Sequence, residues 1–126
     1  MKTIHRKPTD GELGILRVLW TRGPSTVRQV AEALGPDTGY TTALKLLQIM
    51  TEKGLVRRDE RSRTHVYETT YTQDQTERTL VSDLLDRAFG GSAAKLVLQA
   101  LATSKTSPKE LADIKRLIEK KRGGFR

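Results

Sequence analysis

Cysteine is absent from this chain of 126 residues, and histidine occurs only twice, at His5 and His65. The lack of cysteine excludes disulfides, thiolate metal sites and cysteine catalysis. Two histidines so far apart in sequence do not supply the three or four ligands of a zinc site, so we expect no metal and no cofactor. Aromatic residues make up 5% of the chain. So few aromatic side chains give little support to a single-strand binder that stacks bases on them.

Long hydrophobic runs are also missing. No apolar stretch approaches the roughly 20 residues that cross a bilayer as a helix. Residues 1–7 are basic, but no apolar segment of the signal-peptide kind follows them. These two absences predict a cytoplasmic protein. Paired acid and base residues, a nucleophile beside a base and a phosphate-binding glycine loop are not evident either, so we expect no enzyme.

Positive charge is in excess. The chain has 23 Lys and Arg against 15 Asp and Glu, which gives a net charge of +8. Such an excess indicates a polyanionic partner, with nucleic acid as the first candidate and an anionic membrane surface as the second. It carries no information about the fold.

Start and stop signals predict three helices in the first half of the chain. Two capping boxes, Thr9–Glu12 and Thr26–Gln29, begin the first and the second helix. A Gly-Pro pair follows each of these helices and ends it. The third helix runs from about Tyr40 to Lys53, and Gly54 is its natural stop.

The pattern then changes to two short β-prone runs, Leu55–Asp59 and Thr64–Glu68. The polar residues Glu60–Arg63 connect them, which predicts a β-hairpin whose turn type stays open. Three helices followed by a hairpin is the element order of a winged helix-turn-helix domain. We place this DNA-binding domain at residues 1–72 and predict a mainly α fold with a small β-hairpin.

Residues 73–126 predict three more helices, with the tail 120–126 fraying beyond the last one. Their apolar stripes have no fourth helix to cover them, and a large exposed apolar patch usually marks an interface. We therefore expect a helical dimerisation region. The alternative is that these helices fold back on the winged helix as extra core. The residues predicted to form the homodimer are Leu80, Leu84, Leu85, Phe89, Leu96, Val97, Leu101, Leu111, Ile114, Leu117 and Ile118.

The third helix has two distinct faces. At 100° per residue, one arc is apolar and is expected to face the core, and the opposite arc is polar. The inner arc holds Ala43, Leu46, Leu47 and Met50; the outer arc holds Thr41, Lys45, Gln48 and Glu52, with Thr42 on its flank. Hydroxyls and a lysine near a helix N-terminus suit base edges and phosphates. The alternative is an ordinary solvated helix face.

The hairpin carries arginines at positions 57, 58, 61 and 63. Arg61 and Arg63, with Ser62 between them, are placed at the tip, where they suit contact with phosphate or a minor groove. The alternative is a charge cluster that protects an exposed strand edge. Asp59 and Glu60 dilute the positive charge and favour that alternative.

Four segments together resemble the BlaI/MecI/CopY family of bacterial repressors, over about residues 7–120. They are Pro8–Glu12 leading to Val18–Trp20, then Tyr40–Leu44, Glu52–Val56 and Val66–Tyr67. The resemblance implies a homodimeric winged-helix repressor whose partners are a palindromic double-stranded DNA operator and a second copy of itself. It also implies that Tyr40, Thr41, Thr42 and Lys45 lie at the major groove, Arg61–Arg63 in the wing, and the dimer contacts in the C-terminal helices.

The chain departs from this family in two places. Copper-sensing members have a C-terminal cysteine cluster, and this chain has no cysteine, which excludes metal sensing by that route. Members that respond to β-lactams are cut by a partner protease at an Asn-Phe bond, and the corresponding bond here is Gln99-Ala100. A membrane sensor protease as partner therefore stays open, and we predict no small-molecule ligand. Release of DNA through loss of the dimer is the expected control. The alternative function is a winged-helix adaptor that binds protein.

Overall fold

The computed structural model describes residues 7–124, so His5 and the basic residues 1–6 lie outside the described part. The elements are α1 (Asp10–Arg22), α2 (Val27–Leu34), α3 (Tyr40–Lys53), β1 (Val56–Asp59), β2 (Val66–Thr69), α4 (Gln73–Ala88), α5 (Ala93–Thr103) and α6 (Pro108–Gly124). This order confirms the predicted fold class: a winged helix-turn-helix with a small hairpin, followed by helices.

Capping contacts begin the first two helices as the sequence predicts. The Thr9 hydroxyl accepts the Glu12 N–H at 3.2 Å, and the Glu12 carboxylate accepts the Thr9 N–H at 3.0 Å. The same reciprocal pair joins Thr26 and Gln29. A further capping box, which was not predicted, joins Thr72 and Gln75 at the start of α4.

The two strands form an antiparallel hairpin in which Arg57 is opposite Glu68 and Arg58 is opposite Tyr67. β2 pairs on its other side with the segment before α2. There the Ser25 N–H donates to the Tyr67 carbonyl at 3.0 Å, and the Tyr67 N–H donates to the Ser25 carbonyl at 2.8 Å. β1 ends at Asp59 as predicted, whereas β2 begins two residues later than predicted, so the connection runs over residues 60–65.

The hydrophobic core lies between α1, α2, α3 and the hairpin. Among the described residues, every buried hydrophobic side chain falls between Ile15 and Tyr67. The predicted inner arc of α3 is confirmed: Ala43, Leu47 and Met50 are buried, and the partly buried Leu46 packs against this core.

An ion pair inside this part of the fold joins the start of α1 to the end of α3. The Lys53 ammonium lies 2.8 and 2.9 Å from the two carboxylate oxygens of Glu12. The Glu12 side chain is only 3% exposed and that of Lys53 is 22% exposed. The pair therefore fixes the C-terminal end of α3 against α1.

The chain divides into two compact units, with the boundary inside α4 between Asp83 and Leu84. The functional division at residue 72 stays a prediction. In the second unit α6 continues as a helix to Gly124, so the expectation that the tail frays from Lys120 is wrong up to that residue. Lys120, Lys121 and Arg122 are good helix formers, which explains the extension as far as Arg122. Within residues 7–124, no helix has the length and apolar character needed to cross a bilayer.

Candidate nucleic-acid interface

The outer face of α3 is exposed where the sequence analysis predicted a DNA contact. Thr41, Thr42 and Lys45 are all exposed, and Tyr40 is exposed at the first position of the helix. The N-cap is Gly39, which offers no side chain to cap the helix. The hydroxyls and the ammonium of this face are thus accessible at the N-terminal half of the helix.

A groove of about 570 Å³ lies between the starts of α2 and α3, the end of the hairpin connection and β2. Tyr40 and Arg63, which the sequence analysis assigned to two different parts of the interface, both line it. Arg28 and His65 line it as well. Arg28 was not among the predicted site residues, because its place beside the wing follows from the tertiary packing. No carboxylate is among the lining residues that the structure describes, so the groove is a basic surface.

Three of the four hairpin arginines already have carboxylate partners. Arg57 lies 3.7 Å from Glu68 across the strands. The Arg58 Nε lies 2.6 Å from the Glu60 carboxylate. The Arg61 Nη2 lies 2.8 Å from the Asp59 carboxylate.

Arg63 differs from these three. In the part of the chain that the structure describes, no carboxylate lies within ion-pair distance of its guanidinium. The hydroxyl of Ser62 donates to the Thr64 carbonyl at 2.7 Å and so takes part in the turn itself. Of the predicted wing residues, Arg63 is therefore the one with a free cationic head group.

The Asp59–Arg61 pair perturbs the ionisation of both groups. The hydrogen bond from the Arg61 side chain, followed by that from its backbone N–H, lowers the pKa of Asp59 to about 2. The same side-chain hydrogen bond raises the pKa of Arg61. Both groups are therefore charged at neutral pH.

The model of the Penicillinase repressor family matches residues 8–120. This chain belongs to the penicillinase repressor family. The transcriptional regulator BlaI of Mycobacterium tuberculosis strain H37Rv is 38% identical over 92 residues, which cover 71% of this chain and 67% of that protein. BlaI of strain CDC 1551 matches to the same extent. The resemblance to the BlaI/MecI family is thereby confirmed.

Two solved structures have a limited similarity to the chain. A homodimeric winged helix-turn-helix DNA-binding domain from Mycobacterium bovis gives a TM-score of 0.46 at 25% identity and covers 68% of this chain and 77% of that one. The PcaV transcriptional regulator from Streptomyces coelicolor gives a TM-score of 0.46 at 18% identity and covers 96% and 79%.

The residues predicted to form the dimer of this penicillinase repressor family member are not buried in the single chain. Leu84, Val97, Leu111, Leu117 and Ile118 are exposed, and the other predicted residues are half-buried. Val81 and Leu98 are exposed apolar residues that the sequence analysis did not assign to this surface.

The expected cleavage region lies on a helix. Gln99 and Ala100 are exposed in the second half of α5. The carbonyl of Gln99 accepts the Thr103 hydroxyl at 2.8 Å, and that of Ala100 accepts the Ser104 hydroxyl at 2.7 Å. A protease would have to open this turn of helix to reach the bond. Among residues 7–124, no cluster of three or more His, Asp or Glu side chains could hold a metal ion.

Proposed function

We propose that this member of the penicillinase repressor family is a sequence-specific repressor that binds a palindromic DNA operator as a homodimer. Family membership and the fold make the chain a transcriptional regulator of the BlaI type with a winged helix-turn-helix. The observation that carries the finer proposal is the basic groove, because it joins α2, α3 and the wing into one surface without a carboxylate. Such a surface fits a duplex backbone. The protein acts in the cytoplasm, where its DNA is.

Binding uses two kinds of contact, one to base edges and one to phosphates. Thr41, Thr42 and Lys45 contact base edges in the major groove, because they are exposed on the outer face of α3. Arg28 and Arg63 contact phosphates from the groove beside that helix. Phosphate contacts position the protein, whereas base contacts select the sequence.

A salt titration of the full chain tests this proposal. We expect binding to a random duplex whose log affinity falls linearly with log salt, by about 0.9 for each phosphate contact. We expect tighter binding to fragments selected from a random pool, and sequencing these fragments gives the operator. Failure to bind any duplex at low salt would overturn the proposal and favour a protein-binding adaptor.

The homodimer is proposed from the second unit. In its described residues no hydrophobic side chain is buried, although α5 and α6 each carry apolar residues. Leu117 on α6 is one of the most exposed of them. A second copy of the chain is the occupant that a palindromic site requires. Because Leu117 is 65% exposed, its replacement does not disturb the packing of a single chain.

Analytical ultracentrifugation of full-length variants tests the dimer. We expect Leu117→Glu to raise the dimer dissociation constant at least about tenfold, which is roughly 1.4 kcal/mol. Leu117→Met is the matched control and keeps the native constant, because it keeps the apolar volume. Equal dissociation constants for the two variants would place the interface elsewhere.

Release of DNA is proposed to follow from loss of the dimer, with cleavage at or near Gln99–Ala100 by a membrane sensor protease as one route. Two linked half-sites gain affinity from effective concentration, which a monomer loses. A chain truncated after Gln99 lacks all of α6 and the end of α5. Gel-shift titration should show much weaker operator binding for this form. Binding within about threefold of full length, roughly 0.6 kcal/mol, would show that dimer loss is not the switch.

A further inference from the structure

The wing contains an arginine that is occupied by a carboxylate of the same hairpin. Asp59 is the last residue of β1, and Arg61 follows in the turn. Asp59 Oδ2 accepts from the Arg61 Nη2 at 2.8 Å and from Nε at 3.2 Å. Asp59 Oδ1 accepts from Nε at 3.0 Å and also from the Arg61 backbone N–H at 3.0 Å. The backbone contact holds the carboxylate in place while the guanidinium side chain stays 90% exposed.

A carboxylate and a phosphate present the same kind of acceptor pair to a guanidinium. Asp59 therefore fills the fork of Arg61 that a DNA phosphate would otherwise fill. Because the pair is exposed, it is a weak one, and a phosphate held firmly in place can displace the carboxylate. A phosphate that contacts the wing only transiently has to compete with the Asp59 carboxylate. Arg63, two residues further on, has no such competitor among the described residues.

We propose that Asp59 is a specificity-determining residue, which masks Arg61 against sequence-independent duplex binding until base contacts made by α3 hold a phosphate against the wing. The inference rests on the proposed function. Sequence-independent binding consists almost entirely of phosphate contacts, so a masked cation weakens it most. In the operator complex the register is set by α3, and the exchange of carboxylate for phosphate occurs there. Asp59 then raises the ratio of operator to random binding.

The test is a double-variant cycle on the full-length protein: native chain, Asp59→Asn, Arg61→Gln and the combination of both. Asn retains Oδ1 as an acceptor for the Arg61 N–H, so the turn keeps that hydrogen bond but loses the charge. Each protein is titrated against a random duplex and a selected operator over a range of salt concentrations. A second variant, Asp59→Ser, also keeps a side-chain oxygen and serves if the Asn variant does not fold by circular dichroism.

We expect Asp59→Asn to bind the random duplex roughly fivefold more tightly at about 0.1 M salt, with a salt slope steeper by about 0.9, as one added phosphate contact requires. The gain on the operator should be smaller. In the Arg61→Gln background the gain on the random duplex should disappear, because Asp59 then has no paired cation to release.

Three results would overturn the inference. One is an unchanged or weaker random-duplex affinity for Asp59→Asn. The second is an equal gain in both backgrounds, which would indicate the loss of a negative charge and no masking. The third is an equal gain on operator and random duplex. A native chain that binds no duplex instead refutes the proposed function itself, so the two failures are distinguishable.

Discussion

Removal of Lys53 is expected to destabilise the winged-helix unit more than any other single loss of an ion pair in the described structure. Lys53→Met keeps most of the apolar stem but removes the ammonium that lies 2.8 Å from the Glu12 carboxylate. The carboxylate stays buried and, among the described residues, keeps only the Thr9 N–H as a partner. An uncompensated charge in such a place is costly because it has lost its water and gained no counterion.

The magnitude follows from burial. Removal of one partner of a buried pair costs about 3–5 kcal/mol. Since Lys53 is 22% exposed and water reaches the site from its side, we expect the lower end, about 3 kcal/mol. The double variant Glu12→Gln with Lys53→Met should recover about 1–2 kcal/mol of this loss, because the neutral amide still accepts the Thr9 N–H and leaves no buried charge.

Urea denaturation at fixed protein concentration measures these differences as shifts of the midpoint at constant m. Trp20, the only tryptophan, reports on the winged-helix unit by fluorescence. Lys109→Met is the matched control, because Lys109 also has a carboxylate partner, Asp113, at 3.1 Å but is 86% exposed. It should cost less than about 0.5 kcal/mol. The reasoning is refuted if Lys53→Met costs less than about 1 kcal/mol, or if the double variant is no more stable than the single one.

Three further outcomes are expected. Thr42→Ala should weaken operator binding by about 1–3 kcal/mol and random-duplex binding little in gel shifts, and equal losses would mean that Thr42 only positions the backbone. On a random duplex, Arg63→Ala should flatten the salt slope by about 0.9 and more than Arg61→Ala does, because Asp59 masks Arg61 there and no carboxylate of the described residues masks Arg63; the reverse order would contradict this. NMR titration should give Asp59 a pKa of about 2 that returns towards 3.8 in Arg61→Gln. Since the folded-state pKa is the lower one, the stabilisation that this pair provides is present above pH 3.8 and is lost as the pH falls towards 2.

Helix boundaries in the first unit could be predicted because their causes are local. The capping boxes at Thr9 and Thr26 and the glycine stop at Gly54 each act within a few residues of chain. The inner arc of α3 was equally accessible, since helical periodicity alone separates its apolar residues from its polar ones. These signals were enough to predict the order of elements, and with it the fold.

Contacts between distant residues could not be predicted in this way. The capping role of Glu12 already accounts for a glutamate at that position, so nothing in the sequence points to its second partner, Lys53. The pairing of Ser25 with Tyr67 depends on how the hairpin packs beside α2, which follows from the tertiary structure. The groove that joins Arg28 to Arg63 depends on the same packing, and for that reason Arg28 was missed.

The hairpin shows why a count of basic residues overstates the electrostatic strength of a surface. A count of four arginines within seven residues suggests a strongly cationic wing. The sequence already shows that Asp59 and Glu60 dilute this charge, and in the structure Arg57, Arg58 and Arg61 each meet a carboxylate of the hairpin itself. Only the register and the turn geometry decide these pairings, and neither was accessible from the sequence. Long-range attraction of DNA depends on net local charge, so under the proposed function we expect it to come from Arg63, Arg28 and the rest of the basic surface. Contact at close range depends on how many guanidinium groups are free to bind phosphate. That number can rise when a phosphate displaces a carboxylate. Under the proposed function, we expect such a wing to approach DNA as a weak cation and to become a stronger one only once a phosphate is held against it.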